Sequence, residues 1–161
     1  MRKAHPFVQR LYELAARKDR AALAELRRSL ANPLAALPYV VPFLRREATR
    51  GEEDMLVIVA GLFSLHPVGG SLSLARAMRI CAEASNSVSI RFQALLDSDA
   101  DDLPTHLRHA VTLVRTKYLT IDYDDLLRTV RSWSGEDKPR QRRWAREFWG
   151  ATRARRRLHE D

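Results

Sequence analysis

Nine basic residues and a single acid, Glu147, fall within residues 138–157. On a helix turning about 100° per residue, Arg142, Arg146, Arg153 and Arg157 lie within an arc of roughly 60°, with Trp149 just beside it. Trp144, Phe148 and Thr152 occupy a separate arc, the one that suits a core. Guanidinium groups spread along about 22 Å of helix can meet several phosphates of a nucleic-acid backbone. An aromatic among them offers a face for an unpaired base, the combination that single-strand binders use. A solvated basic face with Trp149 packed on a neighbouring helix accounts for the same residues, and the pattern leaves both open. Gly150 weakens the helix by about 1 kcal/mol, so residues 151–161 read as a basic tail.

Other cations repeat at helical spacing. Arg108 and Arg115 are seven apart, on a face away from Leu103, Leu107 and Val114, with Lys117 just beyond. Arg20 and Arg27 repeat the interval, with Arg17, Lys18 and Arg28 nearby, and Arg91 flanks an apolar stripe. Taken singly, each reads first as surface charge and second as a phosphate contact.

Catalytic constellations are weak by comparison. Asp97-Ser98-Asp99-Ala100-Asp101-Asp102 begins like a calcium loop, but Asp102 stands where glycine is needed and Arg108 where glutamate is needed. It reads as an acidic turn before a helix. Asp102, His106 and His109 share a helical face at metal-like spacing, yet no second cluster completes a site, so no metal is expected. Gly69-Gly70-Ser71 lacks the lysine and the spacing of a phosphate loop. No nucleophile elbow surrounds Ser64 and His66. The sequence holds no recognisable active site and calls for no cofactor.

The elements that must position these residues follow from a 3.6-residue apolar period, with glycine and proline at the joints. Asp19 is placed to cap a helix burying Leu23, Leu26 and Leu30, and Ser71 to cap one through Leu74 and Met78. Val88, Phe92, Leu95 and Leu96 form another stripe, and Leu103, Leu107, Ala110, Val111 and Val114 the next. Asp122 starts a helix with Asp124 and Asp125 in its first turn, where the dipole favours acids, and Pro139 suits the first turn of the last one. The expectation is an all-α bundle of seven to nine helices in one domain of 161 residues. Two sub-bundles, 1–85 and 86–158, would meet near residues 84–87.

Composition bounds the function. The chain carries 28 Lys and Arg against 20 Asp and Glu, for a net charge of +8, and 24 of the 28 are Arg. Residues 1–137 are nearly balanced at +2. Such local charge favours a polyanionic partner, although a GC-rich genome or a heat-loving host also enriches arginine. The lone Cys81 excludes an internal disulfide and fits a buried thiol in a reducing cytoplasm. The longest apolar run, Met55 to Leu65, is about half of what spans a bilayer, so no membrane is expected.

Several strings, in order, resemble one family. They are Phe63-Ser64-Leu65-His66-Pro67; Arg91-Phe92 with Leu95-Leu96; Leu103-Pro104-Thr105-His106-Leu107-Arg108; Asp122-Tyr123 with Leu126-Leu127 and Trp133; and Arg142-Arg143-Trp144-Ala145 with Phe148-Trp149. Together they resemble the CasB small subunit of the type I-E CRISPR surveillance complex, Cascade, over roughly residues 7–150. The resemblance implies an all-helical protein without enzymatic activity. It would sit as a pair beside the guide-RNA ribonucleoprotein's backbone and large subunits, supporting target pairing and holding the displaced DNA strand. Arg91, Arg108 and the Arg142-Arg143 pair match recurrent basic positions of that family, and Trp144 matches an aromatic one. Residues 153–157 match no family pattern. A stand-alone helical RNA-binding protein is the competing expectation.

Overall fold

The computed structural model describes residues 3–150. Nine α-helices occur among them: α1 (Pro6–Ala16), α2 (Arg20–Arg28), the short α3 (Leu37–Val40), α4 (Arg50–Leu65), α5 (Leu74–Ala82), α6 (Ser87–Asp97), α7 (Leu103–Thr116), α8 (Tyr123–Arg131) and α9 (Pro139–Ala145). Two 3₁₀ turns flank α3, and a π-helical turn, Arg146–Gly150, follows α9. The only β contact among the described residues is an isolated bridge between Gly69 and Ile121. The all-α expectation therefore holds.

Helix starts follow side-chain acceptors. Asp19, Thr49 and Asp122 each accept from a backbone N–H three residues on, satisfying donors that a helix leaves free. One start departs from expectation. Ser73, not Ser71, caps α5 by accepting from the Arg76 N–H at 3.2 Å, because residues 69–72 are taken up by extended pairing. There the Gly70 N–H donates to the Ile121 carbonyl, and the Asp122 N–H donates to Leu72. The two glycines permit that approach: a Cβ on Gly69 would lie 2.4 Å from the Tyr12 ring, and one on Gly70 would lie 2.4 Å from Thr120 Oγ1. Gly69-Gly70 is a crossing point of two connections and does not open a helix.

The predicted stripes form most of the core, although Leu23, Leu30 and Leu96 are only half-buried. Leu26, Val88, Phe92, Leu95, Leu103, Leu107, Val111 and Val114 are buried, as are all the large side chains on the inner face of α8. α4 lies centrally, with α2, α7 and α8 packed on it. Tyr12, Phe63 and Tyr123 meet edge-on or tilted, tying α1, α4 and α8 together. Burial of such rings contributes roughly 2–3 kcal/mol each. Cys81 is buried, and that burial pushes its thiol pKa up, as an inert thiol requires.

Candidate nucleic-acid interface

The last basic segment is built from α8 inward. Asp125 is buried, yet its carboxylate accepts from the Arg143 guanidinium and, at 3.2 Å, from the Trp144 indole N–H. Trp144 packs edge-on against Trp133 with centroids 5.8 Å apart, and Gln141 donates to the Trp133 carbonyl. One face of α9 is thus clamped down by a carboxylate, two indoles and an amide. Arg142 and Arg146 remain exposed, with Arg142 Nε donating to the Asp137 carbonyl.

Two expectations change here. An arc reckoned at about 100° per residue requires a continuous α-helix, and that geometry ends at Ala145, where the π turn begins. The wider turn carries Trp149 onto α6. Its ring lies 5.3 Å from Phe92 and 5.0 Å from Phe148, and it is half-buried. Trp149 is a packing residue in this structure. Arg143 likewise faces inward, bridging Asp125 and Glu147, so its charge is already matched. Arg153 and the tail lie outside the described residues.

A second basic place forms where α6 packs on α7. These helices frame a groove of about 660 Å³ with Met78, Ala110 and Leu113 along it. Arg91 of α6 and Arg108 of α7 both line it, as do His106 and His109. Both arginines are exposed, as are Arg115 and Lys117 at the end of α7. Asp102 does not join the two histidines: among the described residues no group of three or more His, Cys, Asp or Glu is placed to hold a metal. In the acidic turn, Asp99 Oδ1 instead accepts from the Asp102 N–H at 2.9 Å.

The third basic place is on α2. Arg20 and Arg28 are exposed, and Arg27 reaches the Ser64 carbonyl at 3.4 Å. Lys18 sits in the left-handed region at φ 55°, in the turn between α1 and α2. The Ser64 hydroxyl donates to the Gly61 carbonyl and the His66 ring contacts the Leu119 carbonyl, so both side chains are engaged in structure.

Two residues that matter here carry little mark in the sequence. Arg76 and Arg79 of α5 line a cleft together with Arg143 and Arg146. Their only signal is an i, i+3 pair following a serine cap, too common to single out.

The comparisons with known proteins agree with one another. Residues 22–149 match the model of the family described as CRISPR-associated protein Cse2. A CRISPR-associated protein Cse2 of Thermus thermophilus is 43% identical over 140 residues, covering 81% of this chain and 80% of that protein. The crystal structure of a Cse2-family protein from the same organism aligns with a TM-score of 0.82 at 37% identity, covering 93% of this chain and 99% of that one. A chain of a CRISPR RNA-guided surveillance complex has the same fold, with a TM-score of 0.79 at 21% identity over 97% of this chain and 95% of that one.

Proposed function

Because this chain belongs to the CRISPR-associated Cse2 family, we propose that it is a non-catalytic small subunit of an RNA-guided DNA surveillance complex, binding nucleic acid without sequence preference. The observation that carries the binding part is the placement of the arginines. Arg20, Arg28, Arg91, Arg108, Arg115, Arg142 and Arg146 all stand exposed on helices whose opposite faces form the core.

Phosphate contacts supply affinity without reading bases, which suits a subunit whose sequence specificity is delegated to guide pairing. Exchanging a DNA duplex for an RNA–DNA heteroduplex is nearly balanced, so modest contacts to the displaced strand are enough to tip it. Two copies beside the backbone subunits would extend the basic track. Arg91 and Arg108 are the leading pair, since one groove holds both; Arg142 and Arg146 follow. Arg143 contributes through its ion pairs, holding the segment in place.

The test is a titration of a labelled single-stranded DNA across salt concentrations. Arg91→Ala with Arg108→Ala weakens binding, and the log–log salt slope becomes shallower by about 0.7 per phosphate released. An unchanged slope removes those two residues from the interface. Binding of RNA in preference to DNA, with no guide-RNA complex recovered, favours the stand-alone RNA-binding protein instead.

A further inference from the structure

The cleft between α5 and the π turn gathers four guanidinium groups around one carboxylate. Arg76 and Arg79 come from α5, and Arg143, Arg146 and Glu147 from the chain after α8; together with Leu72 they line a space of about 570 Å³. The elements meet because Ser73, at the start of α5, caps its own helix and donates its hydroxyl proton to Glu147. Glu147 also faces Arg143 Nε at 3.6 Å, so this one acid is already shared between a hydroxyl and a guanidinium.

The donor count then exceeds the acceptors. The Nε atoms of both Arg79 and Arg143 are buried without a hydrogen-bond acceptor among the described residues. A buried donor left unmade is destabilising, and like charges held together in a cleft repel. A tetrahedral oxyanion in the cleft matches that surplus of positive charge, because each arginine presents a planar fork that suits two phosphate oxygens. A carboxylate or halide supplies fewer oxygens to the same set.

We infer that this cleft is a phosphate-binding site, and that its occupant is a backbone phosphate of a single-stranded nucleic acid held by Arg76, Arg79 and Arg146. The inference rests on the nucleic-acid reading above and adds α5, which that reading did not include. Arg143 and Glu147 set the far wall, and Ser73 fixes the carboxylate so that it does not fold across the opening.

The experiment uses the full chain, a labelled oligothymidine and, separately, inorganic pyrophosphate. Arg76→Gln with Arg79→Gln makes the salt slope for oligothymidine shallower by about 0.7 for each phosphate no longer held. Because Arg79 is partly buried, Arg76→Gln with Arg146→Gln, both at exposed positions, repeats the measurement in a second background. Slopes equal to wild type in both folded variants overturn the inference and leave the nucleic-acid reading standing. Should wild type ignore oligothymidine while pyrophosphate still raises its melting temperature, and not that of the variants, the cleft is an anion site and the nucleic-acid reading falls. If neither ligand acts on wild type, both fall.

Discussion

Tyr118 carries a backbone conformation that its side chain disfavours. It follows the C-cap of α7 at φ 56°, with its N–H donating to Arg115 and the next N–H, of Leu119, donating to Val114. That pair of bonds is a Schellman stop, in which glycine is the usual occupant. The phenol is 91% exposed, so packing does not compensate. Tyr118→Gly should therefore raise stability by about 1 kcal/mol, read as a higher urea midpoint at unchanged slope. No glycine marks this stop, which is why it is invisible in the sequence. His5 is the second residue-scale case. Its Nδ1 accepts from the Phe7 N–H at 3.1 Å, capping α1. Burial, then the nearby Arg131, holds its pKa below 6.5, against an opposing pull from Asp124. A depressed value means that the unfolded chain takes up the proton first. The stability is intact above about pH 6.5 and is lost as pH falls through the lower folded value. His5→Asn keeps a capping oxygen but cannot titrate, so its melting temperature should fall less than that of wild type between about pH 7 and 5.5.

At the scale of elements, the helix that ends the described chain depends on α8 more than on its own propensity. α9 has only seven residues, too few to be stable alone, and Asp125 holds two of them. Asp125→Ala leaves the Trp144 indole N–H without its acceptor and strips Arg143 of one partner. The expected loss is about 2–3 kcal/mol of unfolding free energy, kept below the full buried-pair figure because Arg143 is partly exposed. Denaturant unfolding followed by tryptophan fluorescence measures it. The buried stripes of α6, α7 and α8 were legible because strong 3.6-residue periodicity survives any tertiary detail. The caps at Asp19 and Asp122 were legible because short acceptors at helix starts have one physical use. What was not legible was non-local. A π turn depends on how residues 146–150 meet α6, and Ser73 replaces Ser71 as the cap because a connection about 50 residues away pairs with the glycines. The displaced Trp149 follows directly from the first of these.

Across the whole molecule, the fold gathers arginines in places other than the last segment that the sequence emphasises. The groove between α6 and α7 brings Arg91 and Arg108 together, and α5 adds two arginines beside Arg146. Among the described residues no helix is long and apolar enough to cross a membrane. A basic, all-helical member of the Cse2 family, with arginines outward on several helices, is suited to lie along a polyanion inside a larger assembly. The most direct measurement of that claim is affinity purification of the full chain from cells that express its genomic neighbours, followed by RNA sequencing and mass spectrometry of what is retained. The predicted result is a guide RNA of uniform length and a fixed set of partner subunits, both retained at moderate salt. Recovery of the chain alone, or with heterogeneous cellular RNA and no partner subunits, would contradict it.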